Sequence, residues 1–233
     1  DQIAVDLCLH NLNVRLIANG GGMVYAPLGP THMAIEDIAI MRSLPKMTVI
    51  APADADEMRR LIPLTLEYPG PIYIRLGKGY DPIVTKDDVR FEIGKALPMR
   101  AGSDALIVTT GIALKTGIDA ADSLKARGLE TSLLHMPTIK PLDTEALVAH
   151  MADVPVIVTV EEHNVIGGLG SAVAEVMAAA NFNAAKRFKS IGIPDEFPDE
   201  YGSQATLMQR YAITADEITT VIVRLTEGSF VSP

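Results

Sequence analysis

Short apolar runs typical of buried β-strands alternate with helical patterns along the chain. The strand-like runs cover residues 14–18, 48–51, 71–76, 105–108, 129–135, 156–160 and 189–193. Between most of these runs, apolar residues recur at helical spacing. Because strands that alternate with helices form parallel sheets with helices on both faces, the sequence predicts an α/β fold with mainly parallel sheets.

The alternation is interrupted once, which divides the chain into two consecutive domains. Residues 79–90 contain the Gly, Pro and Asp residues that are typical of a linker. We predict a first domain in residues 1–80, a linker in residues 81–95 and a second domain in residues 96–233. The chain opens in what reads as the middle of a helix, so we expect the first domain to lack upstream sequence.

Charge and cysteine content narrow the classes of partner. The formal net charge of −9 at pH 7 argues against nucleic acid or an anionic membrane as the main partner. Cys8 is the single cysteine and lies on an apolar helix face, and no Cys/His cluster has zinc spacing. Since no apolar run could span a bilayer and the N-terminus is no signal peptide, we predict a cytoplasmic protein.

The most informative polar motif is Gly-Pro-Thr-His at residues 29–32. It places His32 on a tight turn before a helical pattern, with Thr31 as the expected N-cap. An imidazole titrates near neutral pH, so His32 is a candidate proton donor or hydrogen-bond donor to a substrate. The alternative is a partly buried histidine that satisfies a carbonyl of the turn.

Two cations follow a predicted strand. Arg75 and Lys78 stand at the end of the run at residues 71–76. Ligands of open α/β sheets commonly bind beyond the carboxyl ends of strands, so both are candidates for binding a phosphate. The alternative for each is a solvated charge.

Two motifs of the second domain have simpler explanations than a cofactor site. Glu-Glu-His at residues 161–163 cannot direct three consecutive side chains of a strand to one metal ion, so we expect a solvated strand end. Gly-Gly-Leu-Gly at residues 167–170 lacks the full glycine spacing of a dinucleotide loop. We expect a tight turn that lets a helix pack closely.

In their order and spacing these landmarks resemble the transketolase family. The parts that resemble its pyrimidine-binding domain are residues 29–37, 48–54 and 70–76. The parts that resemble its C-terminal domain are residues 109–111, 137–143, 161–163 and 167–170. The resemblance covers nearly the whole chain. It is strongest to the C-terminal subunits of split transketolases, whose diphosphate-binding half is a separate polypeptide.

The resemblance implies a partial pyrimidine-binding domain followed by a Rossmann-like transketolase C-terminal domain. It implies thiamine diphosphate as cofactor, with Mg²⁺ or Ca²⁺ held by the partner subunit or domain, and transfer of a two-carbon ketol unit between sugar phosphates. His32 matches the family's substrate-contacting histidine, and Lys78 matches its phosphate-binding arginine. Arg75 matches a position that is Arg in some relatives and is a weaker candidate. The cofactor-activating Glu and the aromatic that stacks on the pyrimidine would lie upstream of Asp1.

Two departures from the family pattern concern the substrate. Common sugar-phosphate transketolases carry an Asp directly before the Gly-Pro-Thr-His motif, where this chain has Leu28. They also carry a phosphate-contacting His where this chain has Gly20. Loss of a charged hydrogen-bond acceptor changes how hydroxyl groups are recognised, which favours an unusual sugar such as apulose 4-phosphate over xylulose 5-phosphate.

Two other functions stay open on the sequence. The β component of a 2-oxo acid dehydrogenase shares the two-domain architecture and has a His in a related loop. A non-catalytic assembly subunit could also keep this fold. The resemblance further implies a homodimer or a heterotetramer with the N-terminal, diphosphate-binding subunit, and inactivity of this chain alone.

Overall fold

The computed structural model describes residues 1–85 and 90–228, so residues 86–89 of the predicted linker lie outside the described residues. The strands are β1 (Arg15–Asn19), β2 (Thr48–Ile50), β3 (Ile72–Leu76), β4 (Leu97–Arg100), β5 (Ala105–Thr109), β6 (Thr131–His135), β7 (Thr138–Lys140), β8 (Val156–Asn164) and β9 (Arg187–Ile193). The α-helices are α1 (Asp37–Ser43), α2 (Ala55–Glu67), α3 (Ala113–Ala126), α4 (Thr144–Ala152), α5 (Leu169–Ala179), α6 (Gln204–Arg210) and α7 (Ala215–Thr226). A π-helical segment covers Ile3–Leu9, and short 3-10 turns cover Ala26–Leu28 and Pro30–His32.

Two mainly parallel sheets carry the fold, as the strand pattern predicts. The first has the order β1-β3-β2-β7 and the second the order β4-β6-β5-β8-β9. The pairs β1–β3, β2–β3, β5–β6, β5–β8 and β8–β9 are parallel, because helices return the chain between them. The α/β prediction with flanking helices is therefore confirmed.

The first sheet takes one strand from the second half of the chain. Strand β7 pairs antiparallel with β2, with Val49 opposite Lys140 and Ile50 opposite Thr138. The backbone N–H of Ala51 also donates to Pro137 O at 2.8 Å, and Gly111 N donates to Ala51 O at 3.1 Å. The ends of β2 and β5 are thereby held together where the two halves meet.

Helix α2 has a side-chain cap, whereas the N-cap expected at Thr31 is wrong. Asp54 caps α2 by accepting a hydrogen bond from Glu57 N at 2.9 Å. Thr31, by contrast, lies within a 3-10 turn and does not cap α1, which begins at Asp37. The chain is extended at Met33, with φ −102° and ψ 125°, so a continuous helix cannot start at Thr31.

No helix within residues 1–85 and 90–228 has the length and apolar character needed to cross a membrane. Cys8 is buried in the first domain, as expected from its position on an apolar face.

Candidate functional site

His32 lies on a loop that leaves the first sheet after β1 and returns before α1. We call residues 20–34 the His32 loop. Its base is closed by two hydrogen bonds, from Gly22 N to Ala34 O at 2.7 Å and from Ala34 N to Gly22 O at 3.1 Å. The His32 side chain is exposed, and its Nδ1 lies 3.0 Å from Thr31 Oγ1. The imidazole is thus presented to solvent and is not the partly buried group of the alternative interpretation.

Lys78 lies beside Tyr25, a residue of the His32 loop. Lys78 is exposed, and its ammonium is 5.7 Å from the centre of the Tyr25 ring, within range of a cation–π contact. The Tyr25 ring also accounts for a glycine at position 20, since a Cβ there would lie 2.5 Å from Tyr25 Cε2 and the residue has φ +100°. The family's histidine cannot occur at position 20 without displacement of Tyr25.

Arg75 is buried, and its guanidinium donates hydrogen bonds to groups of the first domain and of the second. Its Nε donates to Asp37 Oδ2 at 3.0 Å, while Nη2 donates to Ala34 O and to Glu162 O at 2.9 Å each. Tyr73 donates its hydroxyl to the same Asp37 carboxylate at 2.7 Å. These contacts support a structural role, in which Arg75 joins the His32 loop, α1 and the second domain. Phosphate binding by Arg75 stays a prediction.

The segment at residues 161–163 is not a solvated strand end, and that expectation is wrong. Glu161, Glu162 and His163 are 0%, 3% and 0% exposed. Strand β8 continues through them, and each side chain binds backbone N–H or C=O groups contributed by other segments or by the next residue. Glu161 accepts hydrogen bonds from Leu169 N and Gly170 N, at 2.7 Å each.

The glycines at residues 167–170 form the predicted tight turn. A Cβ at Gly168 would lie 2.1 Å from Glu161 Oε2, and one at Gly170 would lie 2.4 Å from Ser190 Oγ. The missing side chains let the start of α5 approach the Glu161 carboxylate. Within the described residues no group of three or more His, Cys, Asp or Glu side chains is placed to hold a metal ion.

Glu161 and His163 have pKa values displaced in opposite directions. Burial raises the pKa of Glu161 from 4.5 to about 7, although Gly170 N, Leu169 N, Arg75 and Arg42 favour the carboxylate. Burial, reinforced by Arg75, lowers the pKa of His163 from 6.5 to about 4. Glu161 therefore contributes stability below pH 4.5 that is lost as the pH rises through 7. His163 contributes stability above pH 6.5 that is lost as the pH falls through 4.

In the parent protein the effects of Glu161 and His163 on the pH dependence of stability oppose each other. Replacing Glu161 by glutamine is expected to leave the effect of His163 alone. Between pH 4 and pH 6.5 the free energy of unfolding should rise more steeply with pH than in the parent protein, by roughly 1 kcal/mol per pH unit. Urea unfolding at several pH values measures this slope. Glu175→Gln, at an exposed carboxylate, should leave the slope unchanged. If the free energy of unfolding changed with pH in the same way in Glu161→Gln and in the parent, the opposite pKa displacements of Glu161 and His163 would be contradicted.

A concavity of about 870 Å³ lies elsewhere, along β9. It is lined by residues that include Ser190, Arg210, Tyr211 and Val221, and it contains none of the predicted site residues. The chemistry predicted from the sequence is centred on the His32 loop, where the ends of β1 and β3 meet the second domain.

Family models match most of the chain. The model described as "Transketolase, pyrimidine binding domain" matches residues 1–80, and the one described as "Transketolase, C-terminal domain" matches residues 94–218. The chain belongs to the transketolase family. Both matched regions contribute to this site, since residues 1–80 contain the His32 loop and residues 94–218 contain Glu162.

Relatives within the transketolase family include proteins named as transketolase subunits. A transketolase family protein of Sinorhizobium fredii is 38% identical over 95% of this chain, which spans 64% of that relative. An apulose-4-phosphate transketolase subunit of Actinobacillus succinogenes is 36% identical over 97% of this chain and 72% of the relative. A 6-deoxy-6-sulfo-D-fructose transketolase subunit of a Clostridium species is 34% identical over 97% of this chain and 69% of the relative. The chain thus spans about two-thirds of the length of these relatives.

Solved transketolases share the fold. A structure described as "Split gene transketolase, inactive beta4 tetramer" has a TM-score of 0.87 and 36% identity, with 97% of this chain and 71% of that chain covered. A transketolase from Pichia stipitis in complex with sedoheptulose 7-phosphate has a TM-score of 0.76 at 18% identity, with 95% and 32% covered. The second likeness concerns the fold alone.

Several residues of this candidate site are absent from the sequence-based prediction. Asp37, Tyr73 and Glu162 were not predicted as site residues, although Tyr73 and Arg75 occupy alternate positions on β3 and so share a face of the sheet. That spacing is a signal that could have indicated a shared partner. Glu162 stands in the Glu-Glu-His motif, but the motif did not indicate its partners Met23 and Gln204, which lie far away in the sequence.

Proposed function

We propose that this chain is the C-terminal subunit of a thiamine diphosphate-dependent transketolase that transfers a two-carbon ketol unit between sugar phosphates. The observation that carries the proposal is its 36% identity, over 97% of the chain, to an apulose-4-phosphate transketolase subunit. The names of this and other relatives favour ketol transfer over the acyl transfer of a 2-oxo acid dehydrogenase. The exposed His32 on a loop held by both domains is consistent with that chemistry.

Among residues 1–85 and 90–228, the glycine run nearest His32 is not free to hold the diphosphate end of the cofactor. The glycine run at residues 20–22 has its N–H groups occupied, since Gly20 and Gly21 donate to Leu76 O and Gly22 donates to Ala34 O. A phosphate cradle needs such N–H groups free. We therefore assign the diphosphate, and its Mg²⁺ or Ca²⁺, to the partner subunit.

The residues of this chain bind and orient the substrate. When bound, thiamine diphosphate supplies the electron sink that allows cleavage beside a ketose carbonyl. His32 donates a hydrogen bond to substrate oxygens near the reacting carbon and stabilises the charge that develops there. Lys78 attracts the substrate phosphate as a point charge, which demands less of its geometry than the forked contact of an arginine. Arg75 holds the loop and is a weaker candidate for substrate contact.

Replacing Lys78 by alanine is expected to raise KM for a phosphorylated donor about tenfold and to leave kcat within about twofold. Loss of one exposed charge–phosphate contact weakens binding of substrate and transition state alike. Steady-state kinetics with phosphorylated and unphosphorylated donors test this, with Lys78→Arg as a variant that keeps the charge. Lys115→Ala, which removes an exposed ammonium paired with Asp119, serves as a matched control. An equal rise in KM for both donors would instead indicate a disturbed Tyr25 contact.

The donor is proposed to be an unusual sugar phosphate such as apulose 4-phosphate. Leu28 is 53% exposed and directly precedes Gly29, so an apolar side chain stands where common transketolases present a carboxylate. Two relatives carry the names of apulose-4-phosphate and 6-deoxy-6-sulfo-D-fructose transketolases. An apolar group at this position makes no hydrogen bond to a sugar hydroxyl and relaxes the demand for its stereochemistry.

The proposed assembly is a homodimer or a heterotetramer with the N-terminal subunit, in the cytoplasm. The related structure described as an inactive β4 tetramer supports self-association without activity. Exposed apolar side chains on the first domain, including Ile17, Ile62, Leu64 and Leu66, offer surface for such contacts.

Reconstitution tests the function directly. The chain, with any residues that its gene encodes before Asp1, is mixed with the diphosphate-binding subunit, thiamine diphosphate and Mg²⁺. Ketol transfer is then measured from apulose 4-phosphate and from xylulose 5-phosphate to an aldose. We expect transfer by the complex, with apulose 4-phosphate preferred, and none by the 233-residue chain alone.

Transfer by the chain alone would overturn the need for a partner. Oxidative acyl transfer to a lipoyl domain would indicate the dehydrogenase, and absence of cofactor binding by the complex would indicate an assembly subunit.

A further inference from the structure

The His32 loop belongs to the first domain in sequence but packs on the second domain in space. Its residues Met23, Ala26 and Met33 are buried in a core cluster with residues of the second domain such as Val158. Apolar contacts of this kind hold the loop down, but they are not directional. A polar contact is needed to define where along the second domain the loop sits.

Glu162 supplies a directional contact from β8 to the start of the loop. Its side chain is 3% exposed, and Oε1 accepts a hydrogen bond from Met23 N at 2.7 Å. The carboxylate also lies against Gly22, where an added Cβ would be 2.4 Å from Glu162 Cδ. The backbone at residues 22–23 is thus fitted to one position of one buried carboxylate.

Gln204 orients that carboxylate from the other side. Its Nε2 donates to Glu162 Oε1 at 2.9 Å and to Oε2 at 3.0 Å. Gln204 is the first residue of α6 and follows Ser203, whose hydroxyl caps that helix. An ionised carboxylate has the acceptor sites for all of these donors, whereas a carboxamide has one oxygen and presents its own N–H groups to them.

The main chain of Glu162 adds a link to the first sheet. Its carbonyl oxygen accepts from Arg75 Nη2, which also binds Ala34 O at the other end of the loop. The start and the end of the His32 loop are therefore both tied to residue 162, one through its side chain and the other through Arg75.

We propose that Glu162, oriented by Gln204, is a positioning residue by which the second domain fixes the loop that carries His32. The proposal rests on the proposed function in one respect, since His32 must meet the substrate for the position of the loop to affect turnover. Glu162 acts through the loop and does not itself touch the substrate.

Hydrogen exchange in the complete chain tests whether Glu162 holds the loop, whatever reaction the protein catalyses. In Glu162→Gln, peptides covering residues 21–33 should exchange at least tenfold faster than in the parent. Peptides from β5 and α3 should exchange at the parent rate, as should the whole chain of Glu175→Gln, at an exposed carboxylate. Gln204→Leu is the second variant, and it should accelerate exchange of the same peptides to a smaller extent. Unchanged exchange of residues 21–33, or faster exchange throughout the second domain, would overturn the proposal.

Kinetics of the reconstituted complex test whether the loop position matters through His32. Glu162→Gln should lower kcat about tenfold to a hundredfold, with KM for the donor changed less than threefold. In a His32→Ala background the same substitution should lower kcat less than threefold, because the group that it misplaces is already absent. An equal loss in both backgrounds would overturn action through His32. Absence of transfer by the parent complex would contradict the proposed function, while the exchange measurement would still decide the role of Glu162.

Discussion

In the reconstituted complex, His32→Ala is expected to lower kcat for ketol transfer by about 10²-fold or more, with a smaller change in KM for the donor. The expectation follows from the role proposed for an exposed imidazole at the substrate carbonyl, since removal of one donor that stabilises developing charge typically costs about 10²–10³-fold in kcat. Steady-state kinetics over a range of donor concentrations separate the two parameters.

The matched control is His10→Ala, which removes another exposed imidazole of the first domain. It should leave kcat within about twofold of the parent. Urea unfolding should show that His32→Ala is as stable as the parent, because the His32 side chain is exposed and hydrogen-bonded only with the neighbouring Thr31 among the contacts of the described residues. A variant His32→Ala with parental kcat would remove the histidine from the proposed mechanism.

Asp37→Ala is expected to lower the free energy of unfolding by about 3–5 kcal/mol. The substitution leaves the Arg75 guanidinium, which is 7% exposed, without its carboxylate, and leaves the Tyr73 hydroxyl without its acceptor. A buried charge without a partner is far more costly than the loss of an exposed pair. Urea unfolding at pH 7 measures the change.

Asp122→Ala serves as the matched control. Asp122 pairs with Arg100, but its side chain is 62% exposed, so the change should be below about 1 kcal/mol. A similar loss in the two variants would show that burial of Arg75 does not decide the effect. Since Arg75 also holds the end of the His32 loop, Asp37→Ala should additionally accelerate hydrogen exchange in residues 21–33.

Much of the fold could be predicted because strand and helix periods are local. The runs at residues 71–76, 105–108 and 189–193 became β3, β5 and β9 with bounds shifted by no more than about two residues. Strand β7 was not predicted, because its three residues are too short for a periodic pattern and its partner β2 lies in the other half of the chain. The cap at Thr31 failed for a similar reason, since the extended backbone at Met33 follows from how the loop closes on Gly22.

The candidate site likewise combines residues that a local motif indicated with residues whose partners are distant in the sequence. The Gly-Pro-Thr-His motif indicated His32 and the family, and the exposed position of His32 agrees with its use on a substrate. The glutamates and histidine at residues 161–163 were expected at a solvated strand end, because three consecutive side chains of a strand cannot all face one metal ion. Here each side chain binds backbone groups, and the partners of Glu161 and Glu162 are supplied by other segments.

By itself the sequence determined the alternation of strands and helices, the α/β class and the family, because periodicity and short motifs are properties of neighbouring residues. Only the tertiary structure decided that Arg75 is buried against Asp37, that Tyr25 occupies the space beside Gly20, and that Glu162 binds the His32 loop. The physical reason is distance along the chain. Met23 and Glu162 are 139 residues apart, and whether a buried carboxylate is tolerated depends on donors that folding alone brings to it.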